Sequence, residues 1–206
     1  MVQIVYKGAN EEKKNLILDA AKKRFALMGY SKTSMIEIAK EIGISKATLY
    51  YYYPDKVALF TEVLRQEMDQ FIVLMDEVRS NTNSLEGGLR AYIDLRANVF
   101  MRMVNVGRAS MAEIPGLSQT LPPYLKSFSE REFSIVKDIM LYGVKEGYFT
   151  EAVVDDLVNL YLDSLKGLPI IAMREKYKNS ELPKFISELK DQFALFNKLI
   201  VSSKLK

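Results

Sequence analysis

The sequence predicts an all-α protein. Apolar residues recur at three- and four-residue spacing through most of the 206 positions. Residues 33–56 carry two short helix signals joined by a glycine turn. Only Val2-Ile4-Tyr6 alternates with the two-residue period of a strand, and this tail is expected to be disordered.

The first helix is predicted over Glu11–Met28 and ends at Gly29. Ile17, Ala20, Ala21 and Phe25 give it a core face, and Lys13, Lys14, Lys22, Lys23 and Arg24 spread around the rest. Ser34 can cap the second helix, with Glu37 three residues on completing a capping box. Ile38, Ala39 and Ile42 form its apolar face. Gly43 falls where the chain must turn in a left-handed conformation. Ile44 can plug the angle, and Ser45 can cap the third helix. That helix offers Lys46, Ala47, Thr48, Tyr50 and Tyr51 in barely two turns, with Leu49 turned inward. Two short helices about a glycine turn describe a helix-turn-helix. Tyr50 to Tyr53 cannot all face inward, because successive helical side chains lie about 100° apart.

Pro54 closes the third helix and Asp55 can cap a fourth. The fourth runs to Arg79, a length of roughly 37 Å at the usual rise per residue. Its stripe is Phe60, Leu64, Met68, Phe71, Ile72 and Met75. Ser80–Ser84 is a polar breaker, and a fifth helix follows over Leu85–Gly107. Ile114-Pro115-Gly116 and Leu121-Pro122-Pro123 bracket a short segment. Further helices are predicted over Tyr124–Glu146, about Thr150–Tyr177 and Pro183–Ser202. Gly167-Leu168-Pro169 is expected to kink or thin the second of these.

Composition excludes much chemistry. There is no cysteine and no histidine, so thiolate chemistry, His/Cys zinc sites and histidine general bases are absent. No stretch has the roughly 18 to 20 apolar residues of a membrane span, and a cytoplasmic location is expected. Residues 1–60 hold ten Lys/Arg against six Asp/Glu, whereas the remainder is nearly balanced, with nineteen against twenty. The basic excess thus lies with the helix-turn-helix, as phosphate neutralisation would need.

Ile17-Leu18-Asp19-Ala20-Ala21, Phe25, Gly29-Tyr30, Thr33-Ser34, Ile38-Ala39, Gly43-Ile44-Ser45, Thr48-Leu49-Tyr50, Tyr52-Tyr53 and Lys56 hold a fixed spacing over about a quarter of the chain. In that pattern the sequence resembles the DNA-binding domain of the tetracycline-repressor (TetR) family of bacterial transcriptional regulators. Tyr53 stands where phenylalanine is usual, and its hydroxyl needs a partner if buried. The resemblance implies a helix-turn-helix DNA-binding domain over 1–54. A helical ligand-binding and dimerisation domain follows over 55–206, joined through helix 55–79. The family's phosphate-contact positions carry over to Thr48, Tyr50, Tyr52 and Lys56. Beside them, Lys46 can reach a phosphate or a guanine edge, and Ala47 a thymine methyl. Tyr51 is the candidate for base contact, and Ser45 caps the helix that carries it. Thr33 and Ser34 can offer backbone amides to a phosphate.

The resemblance further implies a homodimer on a palindromic operator, released by a small effector. Its dimer interface would lie on the last two long helices, here Leu157, Leu160, Tyr161, Leu165, Leu168, Phe185, Leu189, Phe193, Phe196 and Ile200. Tyr92, Arg96, Phe100, Met103, Met111, Phe128, Phe133 and Tyr142 form a Met- and aromatic-rich set for an apolar or amphipathic effector, and they fit an ordinary core equally well. No cofactor, metal site or catalytic residue is expected. A helical enzyme or carrier with the tyrosines lining a pocket is the alternative. A ligand-free architectural DNA binder would leave the long downstream region without a purpose.

Overall fold

The computed structural model describes residues 2–107, 114, 117–174 and 182–202. The helices are α1 (Val2–Met28), α2 (Met35–Glu41), α3 (Lys46–Tyr52), α4 (Lys56–Asn81), α5 (Leu85–Gly107), α6 (Leu117–Thr120), α7 (Pro122–Lys145), α8 (Val154–Arg174) and α9 (Leu182–Ser202). A 3₁₀ turn over Glu151–Val153 leads into α8. Among the described residues no strand forms.

Most elements fall where the apolar spacing places them, and α5 matches its expected limits. One correction concerns the N-terminus. The tail expected to be disordered continues α1 back to Val2. Val2–Asn10 contains no proline, and extending an existing helix avoids the cost of a new nucleus. Helix α8 runs as α-helix through Gly167-Leu168-Pro169.

Packing divides the chain into two compact units. One comprises Met1–Met68 with Arg102–Tyr124, the other Asp69–Met101 with Leu125–Lys206. In the first, Ile17, Ala21 and Phe25 of α1, Ile38 of α2, Leu49 of α3 and Leu59, Phe60 and Val63 of α4 are buried. The Phe25 and Phe60 rings meet edge to face at 5.0 Å, a geometry that adds to plain burial. Ion pairs from Arg24 to Glu37 (3.4 Å) and Glu41 (3.0 Å) bind α1 to α2.

The second unit has a larger core. Ile72 and Met75 of α4, Leu89 and Tyr92 of α5, Val136, Ile139 and Met140 of α7, Val158 and Tyr161 of α8 and Phe193 of α9 are its centre. Gly143 marks its tightest approach. A Cβ there would lie 2.3 Å from the Phe149 ring and 2.9 Å from a Leu85 methyl. Both neighbours are buried and cannot swing away. Gly143→Ala should therefore destabilise the protein by about 1–3 kcal/mol through overpacking. Urea titration checks this, and an unchanged midpoint would show that Phe149 yields freely.

Candidate nucleic-acid interface

Helices α2 and α3 have seven residues each. Helices this short are marginal in isolation, so their ends and anchors set their position. The capping box of α2 is complete. Glu37 N–H donates to Ser34 Oγ (3.3 Å) and Ser34 N–H donates to Glu37 Oε2 (2.9 Å). The Ser34 hydrogen bonds also hold the exposed Glu37 carboxyl below its ordinary pKa. At the other end Gly43 has φ of 68°. Its N–H donates to Lys40 O (3.3 Å), and Ile44 N–H donates to Ala39 O (3.0 Å). This pair of bonds is a Schellman closure, which favours glycine at the left-handed position.

Helix α3 begins at Ser45, whose Oγ accepts from Thr48 N–H at 3.0 Å and lies 2.8 Å from Thr48 Oγ1. Leu49 is fully buried and pins the helix to the core. The tyrosine run then divides by helical angle. Tyr51 is 81% exposed, Tyr50 is exposed, Tyr52 is half-buried and Tyr53 is buried. Lys46 and Ala47 are exposed, and Lys46 Nζ lies 5.5 Å from the Tyr50 ring centre. Thr48 is half-buried. Lys46, Ala47, Tyr50 and Tyr51 thus form an outward face that can meet a groove.

Two sequence candidates face elsewhere. Thr33 is buried; its hydroxyl donates to Gly29 O (2.9 Å) and its N–H to Tyr30 O (3.2 Å). Its donors are committed inside the domain, while Ser34 beside it is exposed. Lys56 is half-buried, and its ammonium donates to Tyr30 O and Thr33 O, both at 3.0 Å. It also lies 4.1 Å above the Tyr30 ring. Burial pushes its pKa down. Lys56 therefore ties the start of α4 to the corner between α1 and α2. Nothing in the sequence pattern distinguishes this bond from a phosphate contact, because carbonyl partners leave no residue signature. Lys32 and Lys40, which sequence reasoning passed over, are exposed and form no ion pair among the described residues. A cation is common enough on any surface to escape notice.

Residues 17–63 match the family described as "Bacterial regulatory proteins, tetR family". Over these residues the chain matches the TetR-family DNA-binding domain. It is 31% identical over 128 residues to the HTH-type transcriptional regulator RutR of Escherichia coli O157:H7, a match spanning 60% of each chain. The likeness of fold extends beyond that match. A crystal structure of a transcriptional regulator from Cytophaga hutchinsonii superposes with a TM-score of 0.76 at 29% identity, over 90% of this chain and 96% of that one. The regulator FadR from Bacillus subtilis, crystallised with stearoyl-CoA, gives a TM-score of 0.63 over 92% and 98% of the two chains. At 19% identity that likeness is one of fold.

The second unit receives the remaining candidates. Tyr92 is a core residue, and Phe128, Phe133 and Tyr142 pack half-buried against the same core. The side chains of Phe100 and Met103, and all of Met111, lie outside the described residues. Two clefts open among the described residues. One of about 150 Å³ includes Arg90, Asp94, Lys190 and Asn197. The other, of about 410 Å³, includes Leu74, Asn81, Ala91 and Leu95. Neither is lined by the expected pocket set or by the tyrosine run. Sequence reasoning also missed Glu132. It is buried, and Tyr92 O–H donates to its Oε1 at 2.6 Å while Arg96 Nη1 pairs with the same oxygen. The signal was a lone charge on the stripe Phe128–Glu132–Val136 of α7.

Of the dimer candidates, Leu157, Tyr161, Leu165, Phe185, Phe193 and Ile200 are buried within this chain, and Leu189 and Phe196 are half-buried. Residues closed in their own core offer a partner little surface. Leu160 is exposed, as are Leu195 and Leu199, which the sequence reading left out. Leu168 has a side chain outside the described residues.

Two measurements follow from the first unit. Tyr53 Oη is buried with no hydrogen-bond partner among the described residues. Burial first, then the nearby Glu62 carboxylate, raises its pKa from 10.0 to about 12. A raised phenol pKa means the folded state holds its proton longer. That contribution is complete below pH 10 and is lost as pH rises towards 12, by about 2 kcal/mol. Tyr53→Phe should stabilise the protein by about 1–2 kcal/mol at neutral pH and flatten this alkaline loss. Thermal melts from pH 7 to 12 decide it, and a destabilised variant would contradict the orphan hydroxyl. Lys56→Met should cost about 2 kcal/mol of stability by removing charged hydrogen bonds to two carbonyls. Unchanged stability with weaker nucleic-acid binding would instead make Lys56 a phosphate contact.

Proposed function

We propose that the chain is a homodimeric transcriptional regulator that binds a palindromic DNA operator and releases it when a small apolar or amphipathic effector occupies the C-terminal helices. The outward face of α3 carries this reading. A helix anchored by Leu49 and the Ser45 cap presents Lys46, Ala47, Tyr50 and Tyr51 to solvent. Lysine, tyrosine and threonine are donors to phosphate oxygens, and a small residue permits close approach to the groove. The basic balance of residues 1–60 acts in the same direction. A tyrosine-lined catalytic pocket lacks support, since Tyr51 is open to solvent and Tyr53 is in the core.

No helix among the described residues is long and apolar enough to cross a membrane, in keeping with action at cytoplasmic DNA. Exposed Leu160 on α8 and exposed Leu195 and Leu199 on α9 offer apolar surface for a two-fold contact. Helix α4 runs unbroken from Lys56 to Asn81. Its first residue holds the Tyr30–Thr33 corner, so a shift of α4 would move the reading unit with it. An effector can drive release only through the difference in its affinity for the two states.

Selection of bound DNA from a random pool tests the reading. The expected product is an inverted repeat with half-sites one helical turn apart or a small multiple. A protein that enriches no sequence, or that stays monomeric while selecting an asymmetric site, would contradict it. On the selected site, Tyr51→Ala should change base preference by about 1–3 kcal/mol at one position. Lys46→Ala, if Lys46 binds phosphate, should weaken all sequences alike and make the salt slope shallower by about 0.9.

A further inference from the structure

Burying a carboxylate in an apolar core is costly unless it is paired and hydrogen-bonded. Glu132 is 1% exposed on the core stripe of α7. Its partners are Tyr92, which donates to Oε1 at 2.6 Å, and Arg96, which contacts the same oxygen through Nη1. Arg96 Nη1 also donates to Tyr92 Oη at 2.8 Å. The three groups close a triangle on one guanidinium nitrogen.

Among the described residues, that triangle leaves most of the guanidinium unused. Arginine carries five N–H donors, two on each Nη and one on Nε. The two bonds of Nη1 spend both of its own. The Nε and Nη2 edge has no hydrogen bond to the described residues, and the Arg96 side chain remains 22% exposed. This edge is the fork that grips a carboxylate through two parallel bonds. We propose that Arg96 is the anchor for the carboxylate of an amphipathic effector, with Glu132 and Tyr92 as the positioning residues that hold its free edge outward.

The surroundings define the ligand class. Val99 lies one turn beyond Arg96 on α5, and Phe128 one turn before Glu132 on α7; both are half-buried against the core, as is Phe133. An apolar body suits them. The trio is electrically neutral, so a singly charged planar carboxylate fits better than a dianionic phosphate, which Glu132 would repel. The proposal rests on the reading of the chain as effector-responsive, yet it concerns binding alone and can be measured without DNA.

The test is calorimetry on the full chain with octanoate, dodecanoate and 4-phenylbutyrate, each beside its alcohol: 1-octanol, 1-dodecanol and 4-phenylbutanol. At least one carboxylate should bind about tenfold or more tightly than its alcohol. Arg96→Gln should erase that preference. Glu132→Gln keeps an acceptor for Arg96 Nη1 and removes the neighbouring negative charge, so carboxylate binding should strengthen; weaker binding or none would overturn the positioning role of Glu132. Should Arg96→Gln fail to fold, Arg96→Lys keeps the charge and loses the fork, and the preference should fall. Binding by none of the three carboxylates, equal binding of acid and alcohol, or a preference that survives loss of the guanidinium would overturn the proposal. A carboxylate that binds through Arg96 while the protein selects no DNA would uphold this site and defeat the regulator reading instead.

Discussion

The proposed reading surface is carried by a seven-residue helix, α3, too short to persist in water by itself. Everything proposed for the N-terminal unit depends on how that segment is held. One fully buried leucine fixes its inner face, and one serine satisfies its first turn. The Gly43 turn sets its angle to α2, and the capping box secures α2 in turn. Lys56 then links the start of α4 to the corner from which α2 departs. Each device is local and small. Together they leave Lys46, Ala47, Tyr50 and Tyr51 exposed rather than committed to the core.

The second unit solves a different problem. Its core is broad and mostly hydrocarbon, with the Tyr161 ring against those of Tyr92 (6.1 Å) and Phe193 (5.9 Å). Among the described residues it admits one buried carboxylate, Glu132, and satisfies it with an arginine and a phenol. Burial pushes the Tyr92 phenol well above its ordinary pKa, which keeps it a proton donor to Glu132. Burial pulls the Arg96 guanidinium down, and the Tyr92 and Glu132 oxygens more than offset this and raise it. The three groups form one hydrogen-bonded polar feature within an apolar core.

Much of the fold was legible because its signals are local. Ser34 with Glu37, Gly43, Ser45 and Asp55 each specify a helix end within four residues, and all act as expected. The tyrosine run was legible in part: angle alone required outward members, though not which ones. Contacts distant in sequence were hidden. The bonds of Lys56 span 23 and 26 residues, and those of Glu132 span 36 and 40. The last two helices were too apolar to sort by eye. Leu160, Leu195 and Leu199 differ from buried neighbours such as Leu165 and Phe193 only in which side of the helix they occupy. The N-terminal extension of α1 was hidden for another reason. A strand-like alternation of three residues outweighed the absence of a breaker.

The central claim is that α3 enters a DNA groove with its outward face while its frame stays as it is in the free protein. Amide and side-chain NMR of the labelled chain, free and on its selected operator, measures this directly. The account predicts large changes at Lys46, Ala47 and Tyr51, with Leu49 and the Lys56 ammonium retaining their free-state contacts. Changes confined to other helices, with Tyr51 still mobile and solvated, would contradict it.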